Sequence, residues 1–275
     1  MKKMILLACV FAMMQTTSAW THNKKAVPFK ALRNIVCKPV ARTKHKHLRL
    51  HQKIREGTSE NWSGYAAATN LQNPGLGSVS MVSGTWTVPD ISNSKKGTYA
   101  SIWVGIDGYK SGTVEQIGTE HDWADGKEEH YAWFEMYPKY PHQIQGFPVE
   151  PGDVISAQVT YKGNDTFEMV INNHTKGVTT TIPTEHTKAS GTKRNSAEWI
   201  IEAPATAKGI LPLADFKQTT LTDCQATING KTSGINEGGW SHDKLVMETK
   251  SGTLKAETSN PTNSGKDFTV TWKRQ

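Results

Sequence analysis

The chain has 275 residues, enough for one large domain or two small ones, and its 23 Gly, 9 Trp and 36% hydrophobic content favour strands and tight turns over long helices. Its net charge of +7 is a sum over unlike parts: residues 1–57 hold 13 Lys and Arg against Glu56 alone, and the rest holds 19 basic against 24 acidic side chains, a balance of −5. That division excludes a nucleic-acid binder for the body, and with only Cys224 of the three cysteines in the body, an internal disulfide framework is excluded too.

Lys2 and Lys3 precede an apolar run from Met4 to Met14, and Thr17, Ser18 and Ala19 supply small residues for a cleavage site. Residues 1–19 are therefore expected to be a secretory signal peptide, and the product secreted. An apolar run of about 11 residues falls short of the roughly 20 that span a bilayer, so no membrane anchor is expected. Residues 20–57 are basic throughout, with His45, His47 and His51 among the Lys and Arg. Two readings fit them. One is a solvated basic tail; the other is a propeptide that lies across an acidic cleft of its own domain, inhibits it, and leaves when carboxylates protonate.

The remainder, 58–275, reads as a single all-β domain. NWSGYAAAT and VSMVSGTWTVPDI, separated by a turn at Asn73-Pro74-Gly75, predict two strands opening one sheet. Tyr99 to Pro138 predicts three strands. In the first, Ala100, Ile102, Val104 and Ile106 face one side and Tyr99, Ser101, Trp103 and Asp107 the other; in the last, Ala132, Phe134 and Met136 oppose Tyr131, Trp133, Glu135 and Tyr137. One face is plain core. The other, with Trp, Tyr and carboxylate together, is expected to meet a ligand. A meander follows from Asp153 to Ile182, then the short strand of SAEWIIEAP, a run ending at Gly230, and three strands near Lys244, Thr253 and Asp267.

No Gly-x-Ser-x-Gly elbow of a serine hydrolase occurs, and no His-Glu-x-x-His of a zinc protease. His121, Asp122, Asp125, Glu128, Glu129 and His130 form an acidic cluster, but Asp125-Gly126 between two strand-like runs signals a hairpin turn, so no metal and no cofactor is expected. Glu135 and Glu198 together could serve glycoside hydrolysis. Gln116, between Val114 and Gly118, and Glu198, among Ser196, Ile200 and Glu202, sit oddly in apolar strands. Each lies at an exposed edge or is held for use.

The ordered blocks NWSGY, TWTVP, SIWVGIDG, EQIGTEHDW, YAWFEMYP, SAEWIIEAP and LTDC resemble those of the G1 or glutamic peptidases, the eqolisins. The resemblance implies an acid-acting endopeptidase on a β-sandwich of two bent antiparallel sheets, lectin-like in architecture, made as a precursor with a basic propeptide and taking polypeptide substrates. It matches the catalytic pair to Gln116 and Glu198, and cleft positions to Trp62, Trp103, Asp107, Trp133, Glu135 and Tyr137. A sugar-binding sandwich, or a glycosidase using Glu198 with Glu135, is the rival reading.

Overall fold

A computed structural model describes residues 29–32, 35–40, 57–91 and 97–275. The expected signal peptide and much of the basic segment lie outside these residues. The described chain is all-β, with one 3-10 turn at Thr184–His186, and no helix in it is long and apolar enough to cross a membrane.

Two sheets face one another. The first has the spatial order Ser241–Glu248, Trp62–Ala68, Ala197–Glu202, Thr98–Ile106, Val114–Ala124, Lys127–Tyr137, His142–Gln145. The second runs Val178–Thr181, Thr166–Asn173, Val154–Gly163, Val79–Thr87, Gln218–Ile228, Phe268–Trp272, Leu254–Thr258. Ser241–Glu248 belongs to both: Ser241 to Leu245 pair with Trp62–Ala68, and Met247 and Glu248 with Leu254–Thr258. Among the described residues pairing is antiparallel apart from two short parallel strand contacts, Lys30 and Ala31 with Val178 and Thr179 and Thr58 and Ser59 with Val246 and Met247, and one isolated parallel bridge between Tyr99 and Leu213.

The two strands expected to open one sheet lie in opposite layers. Trp62–Ala68 pairs only within the first sheet and Val79–Thr87 only within the second. The 69–78 connection is long enough to cross the roughly 10 Å between stacked sheets. Strand alternation otherwise does what the sequence predicts. Val104, Ile117, Phe134 and Trp199 of the first sheet pack against Val82, Trp86, Ile155, Ile171 and Leu221 of the second in one core. Two indole N–H groups tie the layers, Trp199 to the Ser83 carbonyl at 2.7 Å and Trp86 to the Thr119 hydroxyl at 2.9 Å. Cys224 is a free, buried member of this core.

The described part of the basic segment adds a strand to each sheet's edge. Val36–Pro39 pairs with His142–Gln145 in the first sheet, and Lys30–Ala31 with Val178–Thr181 in the second. Leu32, Ile35 and Cys37 pack against the core between them. This docking is by backbone pairing and apolar contact at the edges, to one side of the strands that carry Gln116 and Glu198.

Candidate active site

Antiparallel register aligns one residue from each strand of the first sheet into a row across it: Asp243, Ala66, Glu198, Gly105, Gln116, Glu135. Glu198 and Gln116 are therefore not on adjacent strands. Thr98–Ile106 lies between them, which puts their Cα atoms about 9.5 Å apart at ordinary strand spacing. The residue between is glycine. A Cβ built on Gly105 would meet the Gln116 Cβ at 3.1 Å and the Trp103 ring at 3.0 Å, so the missing side chain keeps the space through which the two functional groups approach. The next row along the same face holds Ile200, Trp103, Gly118 and Trp133, and the row beyond holds Trp62, Glu202, Ser101, Glu120 and Tyr131.

The exposed-edge reading of Glu198 fails. Ala197–Glu202 is a central strand with all six residues buried, and Glu198 is 0% exposed. Neither of its carboxyl oxygens has a partner in full hydrogen-bond geometry among the described residues, although the Ser196 hydroxyl and the Tyr109 amide lie close enough to act on it. Burial pushes this carboxyl well above the usual range; the Ser196 hydroxyl and Tyr109 amide act against that, and the carboxyl groups of Asp107 and Glu115 act with it. Gln116 is 3% exposed; its Nε2 donates to Glu135 Oε2 at 2.6 Å, while its Oε1 is buried without a partner. Buried polar atoms are seldom left unpaired, and here three of them share one row.

Trp62 and Trp103 meet edge to face at 5.1 Å, and with Trp133, Tyr109, Val114 and Ile200 they form an apolar cluster separate from the main core. Trp103 Nε1 donates to Glu202 Oε2 at 2.9 Å, and Asn61 Nδ2 to Glu202 Oε1 at 3.1 Å. Tyr137 closes the strand Lys127–Tyr137 and packs half-buried against the same cluster.

Residues 60–272 match the Peptidase A4 family.

The chain belongs to that family.

Aspergillopepsin-2 of Aspergillus niger is 28% identical over 246 residues, 82% of this chain and 82% of its own. Scytalidopepsin B of Scytalidium lignicola is 29% identical over 164 residues, 57% of this chain and 62% of its own. Aspergilloglutamic peptidase of Aspergillus niger, as a crystal structure, is 29% identical at a TM-score of 0.54, covering 64% of this chain and 99% of that one. Scytalido-glutamic peptidase with a transition-state-analog inhibitor has the same fold, at a TM-score of 0.64 and 23% identity over 78% of this chain and 98% of that one. Membership makes this A4 chain a glutamic peptidase and removes the sugar-binding and glycosidase readings.

One of the A4 chain's site positions, Asp107, differs from the sequence expectation in its surroundings, whereas the acidic cluster forms the expected hairpin. Asp107 is 0% exposed, at a φ of 71°, and turns its carboxylate to the 192–195 loop. Its Oδ2 accepts from Thr192 Oγ1 at 2.9 Å, Thr113 Oγ1 at 3.2 Å and the amides of Lys193 and Arg194 at 2.7 and 2.8 Å; its Oδ1 accepts from the Asn195 amide at 2.9 Å. That loop leads straight into the Glu198 strand. The acidic cluster from His121 to His130 is split by the pleat: His121 and His130 pair on the core face, Nδ1 to Nδ1 at 2.8 Å, while Asp122 and Glu129 pair on the other. Asp125 and Gly126 both have positive φ and form the hairpin turn.

Tyr109 and Asp243 were not singled out by sequence. Tyr109 Oη donates to Asp243 Oδ2 at 2.8 Å, at the Glu198 end of the row. Tyr109 falls in the Gly108 to Gly112 turn, and the strand with Asp243 begins at Ser241 instead of Lys244, so neither residue showed a pattern pointing to the site.

Proposed function

We propose that this A4 chain is a secreted, acid-acting endopeptidase in which Glu198 and Gln116 perform direct attack of water on a peptide carbonyl. The observation that carries the reading is the row itself: the two Glu198 oxygens and Gln116 Oε1, all buried and none with a partner in hydrogen-bond geometry among the described residues, on either side of Gly105. Glu198 as carboxylate takes a proton from the water while the oxygen bonds to the carbonyl carbon. The C–N bond then breaks and Glu198 returns that proton to the leaving amine, base becoming acid. Gln116 Nε2 gives up Glu135 and donates to the oxyanion, and a neutral amide keeps that ability at any pH. In the dry site burial favours the protonated carboxyl; water and substrate donating to Glu198 restore the ionised form.

Trp62, Trp103, Trp133 and Tyr137 offer an extended peptide apolar contact and stacking, and Glu135 holds Gln116 until substrate arrives. Asp107 acts by positioning the 192–195 loop. Asp107→Asn replaces a charge that accepts three amides; a loss of about 2–3 kcal/mol, read as a fall in melting temperature of roughly 5–10 °C, is the expected result in a thermal melt. An unchanged melting temperature would contradict that role. Digestion of a denatured protein at acid pH tests the function. Cleavage should persist in the presence of pepstatin-like, serine-directed and chelating inhibitors, and its suppression by any of them would point to another catalytic class.

The basic segment completes the proposal as an intramolecular inhibitor, delivered behind a signal peptide. Its charge draws it to the acidic domain, and the strands at 30–31 and 36–39 anchor it at the sheet edges. Leu32→Asp with Ile35→Asp in the full chain should raise activity near neutral pH relative to the parent, measured on a short peptide substrate. Equal activity would remove the edge strands from the inhibitory role.

A further inference from the structure

Glu115 is buried next to Gln116 and enters no step above. It is 0% exposed, on the core-facing side of its strand. Its Oε2 lies 3.1 Å from Thr192 Oγ1, and the same hydroxyl lies 2.9 Å from Asp107 Oδ2. Its Oε1 has no partner in hydrogen-bond geometry among the described residues; the Thr113 hydroxyl, which donates to Asp107 Oδ2 at 3.2 Å, also acts on this carboxyl. A hydroxyl has one proton to give. With that proton on Asp107, the contact to Glu115 closes only when Glu115 itself is the donor. Asp107 is the natural anion of the pair, because three backbone amides as well as hydroxyls point at it.

Among the described residues no cation offsets a second charge there. The Arg194 guanidinium sits 3.7 Å over the Tyr161 ring and donates to the Val79 carbonyl, and Lys193 is exposed. The charged groups that act on Glu115 are Asp107 and, from the exposed 163–166 turn, Asp165, both negative; Glu198 is a third buried carboxyl nearby. We propose that Glu115 is a neutral carboxylic acid that donates to Thr192, completing a Glu115–Thr192–Asp107 chain that pins the 192–195 loop beneath Glu198. Its ionisation as pH rises releases that loop. Glu115 is thus a positioning residue that confines the assembled site to acid.

Burial, then the charge of Asp107, pushes the Glu115 carboxyl well above its usual value of 4.5, with the Thr192 and Thr113 hydroxyls opposing. A carboxyl raised in the folded state contributes stability that is complete below its unfolded pKa and is lost as pH rises through the folded one. Glu115→Gln supplies an N–H to Thr192 at every pH and has no such loss. In the full chain, the fall in melting temperature between pH about 4.5 and about 7 should shrink by roughly 3–6 °C in this variant relative to the parent. The alkaline limb of kcat should move up by about one pH unit. Thr192→Ser should keep the parent's profile, and Thr192→Val should melt lower than the parent at both pH values. An identical melting fall in parent and Glu115→Gln, or a Thr192→Val indistinguishable from the parent, overturns the proposal. Only the kcat arm rests on the peptidase mechanism; the melting arm needs no turnover, so the failure of one reading is distinct from the failure of the other.

Discussion

Glu198→Gln is expected to silence the enzyme while making it more stable toward neutral pH. A positioned general base contributes typically 10²–10⁴-fold, and an amide in its place can neither take the water's proton nor return it, so kcat should fall by about that factor with little change in KM. The stability effect follows from the same burial. Glu198 is raised in the folded state, so its stabilising contribution is present below the ordinary carboxyl value of 4.5 and is lost as pH rises. Glutamine is of similar shape, carries no charge, and removes that loss. The variant should therefore melt above the parent near neutral pH, in a thermal scan of the full chain at pH about 7. A variant with reduced activity and reduced stability at that pH would instead mark Glu198 as a structural residue. Opposite signs for activity and stability are what a strained functional group produces.

Gly118→Ala should unfold or severely weaken the protein although it adds a single methyl group. Its Cβ would stand 2.2 Å from the Ile102 carbonyl oxygen, 2.6 Å from the Trp103 Cβ and 2.8 Å from the Trp103 Cα. These are mostly backbone atoms of the neighbouring strand, which cannot swing aside as a long side chain can. Overpacking of this kind costs about 3 kcal/mol or more, equivalent to roughly 6–12 °C in melting temperature. Gly112, where an added Cβ meets nothing within 4 Å, is the matched control and should tolerate alanine. Equal melting temperatures for the two variants would mean that the Trp103 strand does not approach Gly118 so closely. The close approach matters to function because Trp103, directly opposite Gly118 on the neighbouring strand, forms the wall beside the Gln116 row.

What sequence made legible was local. A period of two assigned Ala100, Ile102, Val104 and Ile106 to the core and Trp103 and Trp133 to the other face, and the structure places them so. The Asp125-Gly126 turn was legible for the same reason, since both positions need positive φ. What was not legible depends on which strand lies next to which. Nothing local says that Trp62–Ala68 and Val79–Thr87 part company into opposite layers, or that Ala197–Glu202 is wedged between two strands far from it in sequence. That wedge is why Glu198, which sequence left open as either an exposed edge residue or one held for use, is wholly buried in the fold. Local alternation also misdirected. It put Asp107 with Trp103 on the ligand face, but a left-handed backbone at Asp107 ends the strand and turns the carboxylate to the 192–195 loop. Tyr109 and Asp243 meet only because register brings a turn and a distant strand together.

The most direct measurement is a double-mutant cycle on Glu198 and Gln116, with kcat determined for one extended peptide at a single acid pH. The two side chains are held to act on the same water and the same carbonyl across Gly105. Groups that act as a unit are strongly non-additive: losing either costs nearly as much as losing both. Glu198→Gln with Gln116→Ala should therefore be no more than about tenfold slower than the slower single variant. Losses that multiply, or parental turnover in either single variant, would contradict a shared role for the pair.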